Sequence, residues 1–271
     1  MIPTLNEAAN ITPLVASLLA QSPPPAAVVV ADGGSRDGTP TLAARAGATV
    51  VRSSRTSRAA QMNAGARRAI AASNLAPRDV LLFVHADTRL PRGALRAAAR
   101  RAAALEERLA VGAFRCAIEG HDSAFYALAS AHHTAKSYYL PALLRPKRAI
   151  RGLRLFYGDQ CLFVRRDVFQ AVGGYDERLA LMEDADLCVT AHAHVWRANR
   201  GHTNQKAHTS EAVCALLHDA EPVGTSARRF ERLGCARTTA VQLLVGAMYA
   251  VGCSPERLEA VVARLYAPVR E

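Results

Sequence analysis

Short apolar runs rich in valine and leucine recur along the first hundred residues, and alanine-rich stretches separate them. Runs of this kind, without regular polar alternation, are typical of parallel strands buried on both faces. The three clearest runs are AAVVVAD (26–32), ATVVR (48–52) and DVLLFVHAD (79–87). An earlier strand is expected before PTLNEAAN. Only Met1 and Ile2 are available there, so that strand is either very short or lacks upstream residues.

The stretches between these runs predict helices. Thr39 is a good N-cap, Pro40 suits the first helical position, and Gly47 ends the same helix. Residues 56–73 predict a second helix and residues 91–104 a third, which opens with proline. Strand and helix alternating in this order predict an α/β fold with a mostly parallel sheet and helices on both faces.

The segment 188–222 breaks this alternation. It is rich in histidine, polar and turn residues and has no clear period, so we expect an irregular insertion or divergent loop. The chain is therefore divided into a principal domain at 1–187, this segment, and a helical C-terminal segment at 223–271 that packs on the same domain. The most apolar stretch, 238–253, contains Gln242 and is shorter than the roughly 20 residues that span a bilayer. We interpret it as a packed or interfacial helix.

Composition narrows the range of partners. Lys and Arg outnumber Asp and Glu by 34 to 23 in 271 residues, and the net charge of +11 favours an anionic partner. Phosphorylated ligands, nucleic acid and acidic membrane surfaces all qualify, but no nucleic-acid-binding motif accompanies the charge. The six cysteines are scattered and form no C-x-x-C pair, and no charged region followed by an apolar stretch stands at the N-terminus. We therefore expect a cytoplasmic protein or one held peripherally at a membrane.

Polar residues gather where three of the predicted strands end, which is where open parallel sheets bind their ligands. These segments are PTLNEA (3–8), ADGGSRDGT (31–39) and HADT (85–88). Gly33 permits a turn in which a ligand approaches the backbone. Asp87 follows a buried strand and suits a hard divalent cation that completes its shell with water and phosphate oxygens. The alternative from the residues alone is that Asp87 caps the following turn with Thr88.

Seven ordered motifs resemble the family-2 glycosyltransferases of the GT-A fold. Besides the three just given, they are SRAAQMNAGA (57–66), YGDQCLFVRRDVF (157–169), GGYDE (173–177) and MEDADL (182–187). They look most like the subgroup described as radical-SAM/selenodomain-associated, some of whose members are linked to arsenosugar biosynthesis. TSARRFERLG (225–234) and the apolar stretch after it resemble the C-terminal region of that subgroup. The resemblance implies a GT-A-type, Rossmann-like sheet with helices on both faces and a helical C-terminal region.

The resemblance also implies a nucleotide-sugar donor, typically a UDP-sugar, and a Mg²⁺ or Mn²⁺ cofactor. The positions it assigns to nucleotide and donor are Pro3, Thr4, Leu5, Glu7, Asp32, Gly33, Arg58 and Asn63. Asp32 would hydrogen-bond the base, while Arg58 and Asn63 would contact the nucleotide or the donor sugar. Asp87 would be the metal ligand, as the last carboxylate of a D-x-D element in which His85 replaces the first Asp.

Asp184 matches the catalytic base of inverting members of this family. One carboxylate takes the proton of the acceptor hydroxyl, and a metal offsets the charge on the departing nucleoside diphosphate. From the residues alone, the alternative is that Asp184 has no catalytic role. Together with Glu183 and Asp186 it would then be an acidic residue in the first turn of a helix, where the helix dipole favours negative charge. Asp159 is expected near the acceptor, with a structural turn as the alternative.

Basic residues in two places are candidates for binding anions. Arg228 and Arg229 would reach the diphosphate, because guanidinium groups bind phosphate oxygens bidentately; a solvated helix face is the alternative. A basic loop directly before YGDQ consists of Arg145, Lys147, Arg148, Arg151 and Arg154. Ordinary solubilising charge is one interpretation of this loop, and an anionic acceptor or a peripheral membrane contact is another.

The sequence thus predicts a metal-assisted, inverting glycosyltransferase that moves a sugar from a nucleotide donor to an acceptor of unknown identity. A nucleotide-sugar-binding protein without turnover is one alternative, to which His85 and the segment 188–222 point. A sugar nucleotidyltransferase is another. It would need a glycine-rich, basic loop for the triphosphate after the first strand, and PTLNEAAN has none.

Overall fold

The computed structural model describes residues 1–120, 123–201, 211–228, 231 and 234–266. Its strands are short and mostly buried. In chain order they are β1 (Ile2–Thr4), β2 (Val29–Asp32), β3 (Thr49–Arg52), β4 (Val80–Leu82), β5 (Thr88–Arg89), β6 (Leu109–Phe114), β7 (Cys116–Glu119), β8 (Phe163–Arg165), β9 (Val213–Leu217) and β10 (Val223–Ser226).

Helices connect and cover these strands. They are α1 (Ala8–Leu19), α2 (Thr39–Arg45), α3 (Arg58–Ala72), α4 (Ala94–Leu105), α5 (Ser123–Leu144), α6 (Pro146–Ala149), α7 (Arg166–Ala171), α8 (Glu183–Gly201), α9 (Cys235–Ala250) and α10 (Pro255–Tyr266). Local sequence sets several of the helix starts. Ser57 caps α3, since its hydroxyl accepts from the Ala60 amide, and Gly93 adopts a positive φ of 79° immediately before α4.

A parallel sheet forms the N-terminal part of the fold. β2 lies between β1 and β3, and Thr4 is in register with Asp32, so both strands end at the same edge. Met1 extends this sheet towards β4: its amine donates to the Leu82 carbonyl at 2.7 Å, and its carbonyl accepts from the Val84 amide at 3.0 Å. This bonding places β1 beside β4 with the same direction. The segments after these strands therefore meet at one edge.

The rest of the sheet structure is mixed. β8 lies antiparallel between β4 and β6, and β6 pairs in parallel with β9. In a third, small sheet, β10 is antiparallel to β5 and parallel to β7. The sequence did not predict the antiparallel pairs that β8 forms. A strand of three residues is too short to show a period of its own. The predicted α/β class with helices around the sheets is confirmed.

The prediction of an irregular segment at 188–222 is wrong for much of its length. α8 continues to Gly201, and β9 and β10 follow; residues 202–210 lie outside the described part of the chain. The helical period is present at Cys188, Ala191 and Val195, which are all buried. His192 obscured it, because this polar residue is also buried and its Nε2 lies 2.9 Å from the Arg151 carbonyl oxygen.

Smaller differences concern where elements begin and end. α2 is capped by Gly38, one residue earlier than predicted, while the Thr39 hydroxyl donates to Asp37 at 2.5 Å. α4 begins at Ala94 and not at Pro91. β4 covers only part of 79–87, although the extended chain continues to pair through the amides of residues 83 and 84.

Two hydrophobic clusters fix the strand that leads to the HADT segment. On one side, Phe83 contacts the rings of Phe169 and Tyr175, with centroid distances of 5.4 and 5.0 Å. On the other side, Val84 packs in the cluster formed by α1, β2 and α4. Consecutive side chains of this strand are therefore buried on opposite faces, as its unbroken apolar sequence predicted.

α9 occupies most of the apolar stretch predicted as a packed or interfacial helix. Thr238, Val241 and Val245 are buried, whereas Leu243 and Leu244 are exposed. None of the helices in the described ranges is both long enough and apolar enough to cross a bilayer.

Gly112 offers a test of the central packing. A Cβ added there would lie 2.0 Å from the ring of Phe163 on the neighbouring strand, so Gly112→Ala should lower the free energy of unfolding by about 1–3 kcal/mol. Gly246→Ala in α9 is the matched control. The nearest atom would be Leu140 Cδ2 at 3.8 Å, so we expect a gain of about 0.5–1 kcal/mol from helix propensity. Urea unfolding measures both, and equal effects would contradict this packing.

Candidate active site

The loops that follow β1 and β2 are tied together. The Gly33 amide donates to the Thr4 carbonyl at 2.9 Å, and the Glu7 amide donates to the Thr39 hydroxyl at 2.9 Å. Gln61 from α3 also donates to the Thr4 carbonyl at 2.9 Å. A Cβ at position 33 would lie 2.1 Å from Gln61 Nε2, so a larger residue there would displace this amide. These hydrogen bonds fix the backbone of the two loops that are predicted to bind the nucleotide.

Asp32 holds the turn that begins at the end of β2. It is 4% exposed, and its Oδ2 accepts from the amides of Gly34 and Ser35 at 2.9 and 3.0 Å. Its Oδ1 receives only a longer contact, 3.3 Å from the Ser35 amide. Oδ1 is thus the oxygen with capacity for a further donor. Of the neighbouring predicted residues, Pro3 is buried, whereas Leu5 is 47% exposed at the rim.

Asp87 lies beside Arg228 and Glu7. Arg228 Nη2 donates to Asp87 Oδ2 at 3.0 Å and lies 3.4 Å from Glu7 Oε1, so one guanidinium bridges two predicted donor-site carboxylates. The hydrogen bond from Arg228 and the charges of both carboxylates raise the pKa of Arg228 despite its partial burial. Arg228 therefore comes from the C-terminal region to the same edge as Asp87, and its contact with a diphosphate stays a prediction. Arg229 lies outside the described residues.

Arg58, at the first position of α3, is surrounded by acidic groups. Burial disfavours its charge, but nearby carboxylates outweigh burial and raise its pKa. These carboxylates belong to Glu183, Asp184, Asp159 and Asp87. The direct partner is Glu183, whose Oε1 lies 3.2 Å from Arg58 Nη1 and whose side chain is 2% exposed. Residues far apart in sequence thus converge on one guanidinium.

Asp184 is buried in the first turn of α8. Burial and the charge of Glu183 raise its pKa well above the usual aspartate range, and Arg58 opposes this shift. Gly158 leaves the space next to it: a Cβ there would lie 3.0 Å from Asp184 Oδ2 and 2.1 Å from His85 Nε2. His85 and Asp184 therefore face the same backbone position. A carboxylate with a raised pKa is well suited to accept a proton near neutral pH.

Asp159 lies in the 3-10 turn after Tyr157 and faces the inner side of α5. Its Oδ2 is 2.9 Å from Nε2 of His133, which is almost fully buried. Burial would raise the pKa of Asp159, but His133, Lys136 and His85 lower it well below the usual range. These groups therefore hold Asp159 in its ionised form.

Sequence reasoning did not identify His133, Lys136 or Tyr157. Lys136 Nζ lies 3.9 Å from the centre of the Tyr157 ring and donates to Gln242 of α9 at 2.9 Å. Within the described part of the chain, His133 Nδ1, Tyr157 OH and Asp159 Oδ1 are buried without a hydrogen-bond partner, which is typical of polar atoms that meet a ligand or water. The sequence signal that could have identified His133 and Lys136 is their spacing of three residues, which places two polar side chains near each other on a largely apolar helix.

Asn63 has a different position from the one expected. Its amide nitrogen donates to the Tyr175 carbonyl and to Glu177 Oε1, both at 2.9 Å, and its oxygen accepts from the Tyr175 amide at 2.9 Å. These bonds use both amide hydrogens to hold the GGYDE loop against α3. Its contact with the donor stays a prediction.

Asp87 supplies the chemistry that a divalent cation needs in this region. Across the described residues, His, Cys, Asp and Glu form no group of three or more suited to holding a metal ion. A single carboxylate that leaves the other positions to water and phosphate oxygens fits Mg²⁺ or Mn²⁺. A separate cavity of about 610 Å³ lies between α1, β4 and α4, and none of the predicted site residues lines it.

Comparisons with known proteins agree with this geometry. Residues 1–173 match the family model described as Glycosyl transferase family 2. The glucosyl-3-phosphoglycerate synthase of Mycobacterium tuberculosis is 18% identical, with a TM-score of 0.55 over 93% of this chain and 79% of that one. The mannosyltransferase PcManGT from Pyrobaculum calidifontis, in complex with GDP-Man and Mn²⁺, is 20% identical, with a TM-score of 0.54 over 98% and 68%. These similarities show the GT-A fold. A comparison with curated protein sequences gave no significant match.

Replacing Asp184 by Asn should stabilise the fold at neutral pH. The folded-state pKa of Asp184 is raised above its unfolded value, so its favourable contribution is present at low pH and is lost as pH rises through the folded pKa. We expect the Tm of Asp184→Asn at pH 7 to exceed that of the wild type, by about 2–4 °C for each kcal/mol relieved. The advantage should vanish below the unfolded pKa of about 3.9.

Asp176→Asn is the opposite control, because hydrogen bonds from Arg178 lower the pKa of Asp176. Its Tm at pH 7 should not rise. Thermal unfolding at pH 3.5 and pH 7, followed by circular dichroism, measures both variants. A lower Tm for Asp184→Asn at pH 7 would contradict the buried, high-pKa environment described for this carboxyl.

Proposed function

Since the chain belongs to glycosyl transferase family 2, we propose that it transfers a sugar from a UDP-sugar to an acceptor hydroxyl, with inversion at the anomeric carbon. The chain is a glycosyltransferase; the donor nucleotide, the stereochemistry and the residue roles are the proposed part. The mannosyltransferase was solved with GDP-Man and Mn²⁺, and the synthase with UDP-glucose and Mn²⁺. Both complexes support a nucleotide-sugar donor and a divalent cation for this chain.

One observation carries the proposal: Arg58 draws together carboxylates from three separate motifs. Its guanidinium pairs with Glu183 and is close enough to Asp87 and Asp159 for both to raise its pKa. Asp184 also raises the pKa of Arg58, so Asp184 and Asp87 both lie near this guanidinium. A metal-ligating carboxylate and a candidate proton acceptor thus flank a single space, as displacement at an anomeric carbon requires.

The donor would bind across the tied loops after β1 and β2. Thr4, Gly33 and the exposed Leu5 would line the nucleotide, and Oδ1 of Asp32 would accept a hydrogen bond from the base. Pro3 fixes the loop geometry beneath them. Arg228 would move from Asp87 and Glu7 to the diphosphate, because phosphate oxygens are also good bidentate partners for guanidinium.

In the transfer step, Asp184 would accept the proton of the acceptor hydroxyl. The oxygen forms a bond to the anomeric carbon as the bond from that carbon to the diphosphate breaks, and the electron pair leaves with the nucleoside diphosphate. The raised pKa of Asp184 strengthens it as a proton acceptor. Asp159, fixed by His133, would orient the acceptor from the opposite side.

A bound Mg²⁺ or Mn²⁺ would offset the negative charge that develops on the leaving diphosphate. Asp87 is the residue that would hold it, with His85 nearby and the phosphate oxygens filling other positions. The C-terminal motif TSARRFERLG supports placing the chain in the radical-SAM/selenodomain-associated subgroup.

A nucleotide-sugar-binding protein without turnover is the second candidate. The ion pair between Asp87 and Arg228, together with His85 in place of a carboxylate, favours it. Such a protein would bind donor but leave it intact in the presence of any acceptor or water.

The role of Asp87 can be tested with UDP as the probe. UDP should raise the Tm of the wild type, and Mn²⁺ should raise it further. Asp87→Ala should lose the Mn²⁺-dependent part of the shift, because the variant lacks the proposed metal ligand. Asp219→Ala is the matched control, since Asp219 is an exposed carboxylate paired with Arg101. A UDP shift that is independent of both Mn²⁺ and Asp87 would remove the proposed metal role.

The role of Asp184 can be tested by turnover. Asp184→Asn should lower kcat for release of UDP from a UDP-sugar by about 10²–10⁴-fold, because the variant cannot accept the proton. Its UDP-induced Tm shift should remain. Asp186→Asn is the control on the same helix turn, where the carboxylate accepts from the Tyr249 hydroxyl instead. Unchanged turnover in Asp184→Asn would refute its assignment as the base.

A further inference from the structure

The solvent-facing sides of α5 and α9 carry large apolar side chains. Together with two neighbouring positions they define what we term the outer face: Phe125, Leu128, Tyr139, Leu143, Ile150, Leu243, Leu244 and Val251. The most exposed are Ile150, Val251 and Leu143, at 89%, 79% and 75%. Single exposed apolar residues are common on protein surfaces, but a group of this size on two adjacent helices is not.

The outer face is continuous because the two helices run side by side. Lys136 of α5 donates to Gln242 of α9, and Arg145 just after α5 lies over the ring of Tyr249, 5.9 Å from its centre. Along α5 the exposed apolar residues follow spacings of three, eleven and four, which keep them on one side of the helix. His133 and Lys136 of α5 are buried and lie near Asp159 instead.

The two segments that carry the outer face are basic. Residues 123–155 contain six Lys or Arg and no Asp or Glu, and residues 235–253 contain no Asp or Glu either. The basic loop at 145–154 adjoins the C-terminal end of α5, and Lys147 and Arg151 are exposed. Burial and the nearby charges of Arg145 and Arg197 lower the pKa of Arg148, which shows how closely these cations are placed.

We propose that the outer face docks onto an anionic lipid bilayer. Its apolar side chains would enter the interfacial zone, and the basic loop would contact the lipid headgroups, as amphipathic surface helices with cationic borders do. A second copy of this chain fits less well. It would bring another basic loop against a surface whose segments offer no carboxylate.

The proposal can be tested by vesicle co-sedimentation of the full chain. The probes are phosphatidylcholine vesicles with and without phosphatidylserine. We expect binding to the phosphatidylserine vesicles, weakened by added salt. Lys147→Gln/Arg151→Gln should lower the partition coefficient by roughly five-fold per charge removed. Leu143→Gln/Ile150→Gln should lower it by about ten-fold or more, because these side chains would lose their apolar contact with lipid.

Matched controls separate the outer face from overall charge and apolarity. Arg92→Gln/Arg100→Gln removes two exposed charges on and near α4, and Leu19→Gln changes an exposed apolar residue on α1. Both controls should bind vesicles like the wild type. All variants should stay folded, with at most a small drop in Tm where Arg151→Gln loses its contact with the Trp196 ring, 4.4 Å away.

Three outcomes would overturn the proposal. One is the absence of binding to phosphatidylserine vesicles at low salt, and another is an equal loss of binding in the control variants. The third is a dimer, seen by sedimentation velocity, that Leu143→Gln/Ile150→Gln dissociates while vesicle binding stays unchanged.

Discussion

The partly buried ion pair between Arg58 and Glu183 determines the arrangement of the site. It joins the start of α3 to the start of α8, two segments 125 residues apart in sequence. A carboxylate that is 2% exposed needs a charged or hydrogen-bonding partner, because isolated burial of its charge would cost several kcal/mol. The pair thereby fixes the first turn of α8 against the sheet edge. Asp184, the next residue, takes its position from this junction, while burial and the charge of Glu183 raise its pKa.

Much of this framework was predictable from local sequence. The unbroken apolar runs identified β2 and β3, and the alanine-rich stretch at 56–73 identified α3. The ends of the strands indicated where Asp32 and Asp87 would lie. These features follow from the period of the side chains and from chain direction, which the sequence displays directly.

Non-local contacts were not predictable in the same way. α8 was missed beyond residue 187 because His192 is buried by a bond to a carbonyl from a distant loop, so its polarity masked the helical period. Nothing adjacent to Asn63 indicates that it holds the GGYDE loop. His133 and Lys136 occupy one side of α5, and a sequence cannot say which side of an isolated helix faces a site.

The bonds that tie the loops after β1 and β2 are complete in the protein alone. Gly33, Glu7 and Gln61 already hold these loops through contacts within the chain. An incoming nucleotide therefore meets a surface whose backbone conformation is set, and association need not spend conformational entropy on ordering it. In the proposed function Arg228 is the exception, because it would exchange the carboxylates of Asp87 and Glu7 for the diphosphate. The rearrangement expected on binding is then that of a single long side chain.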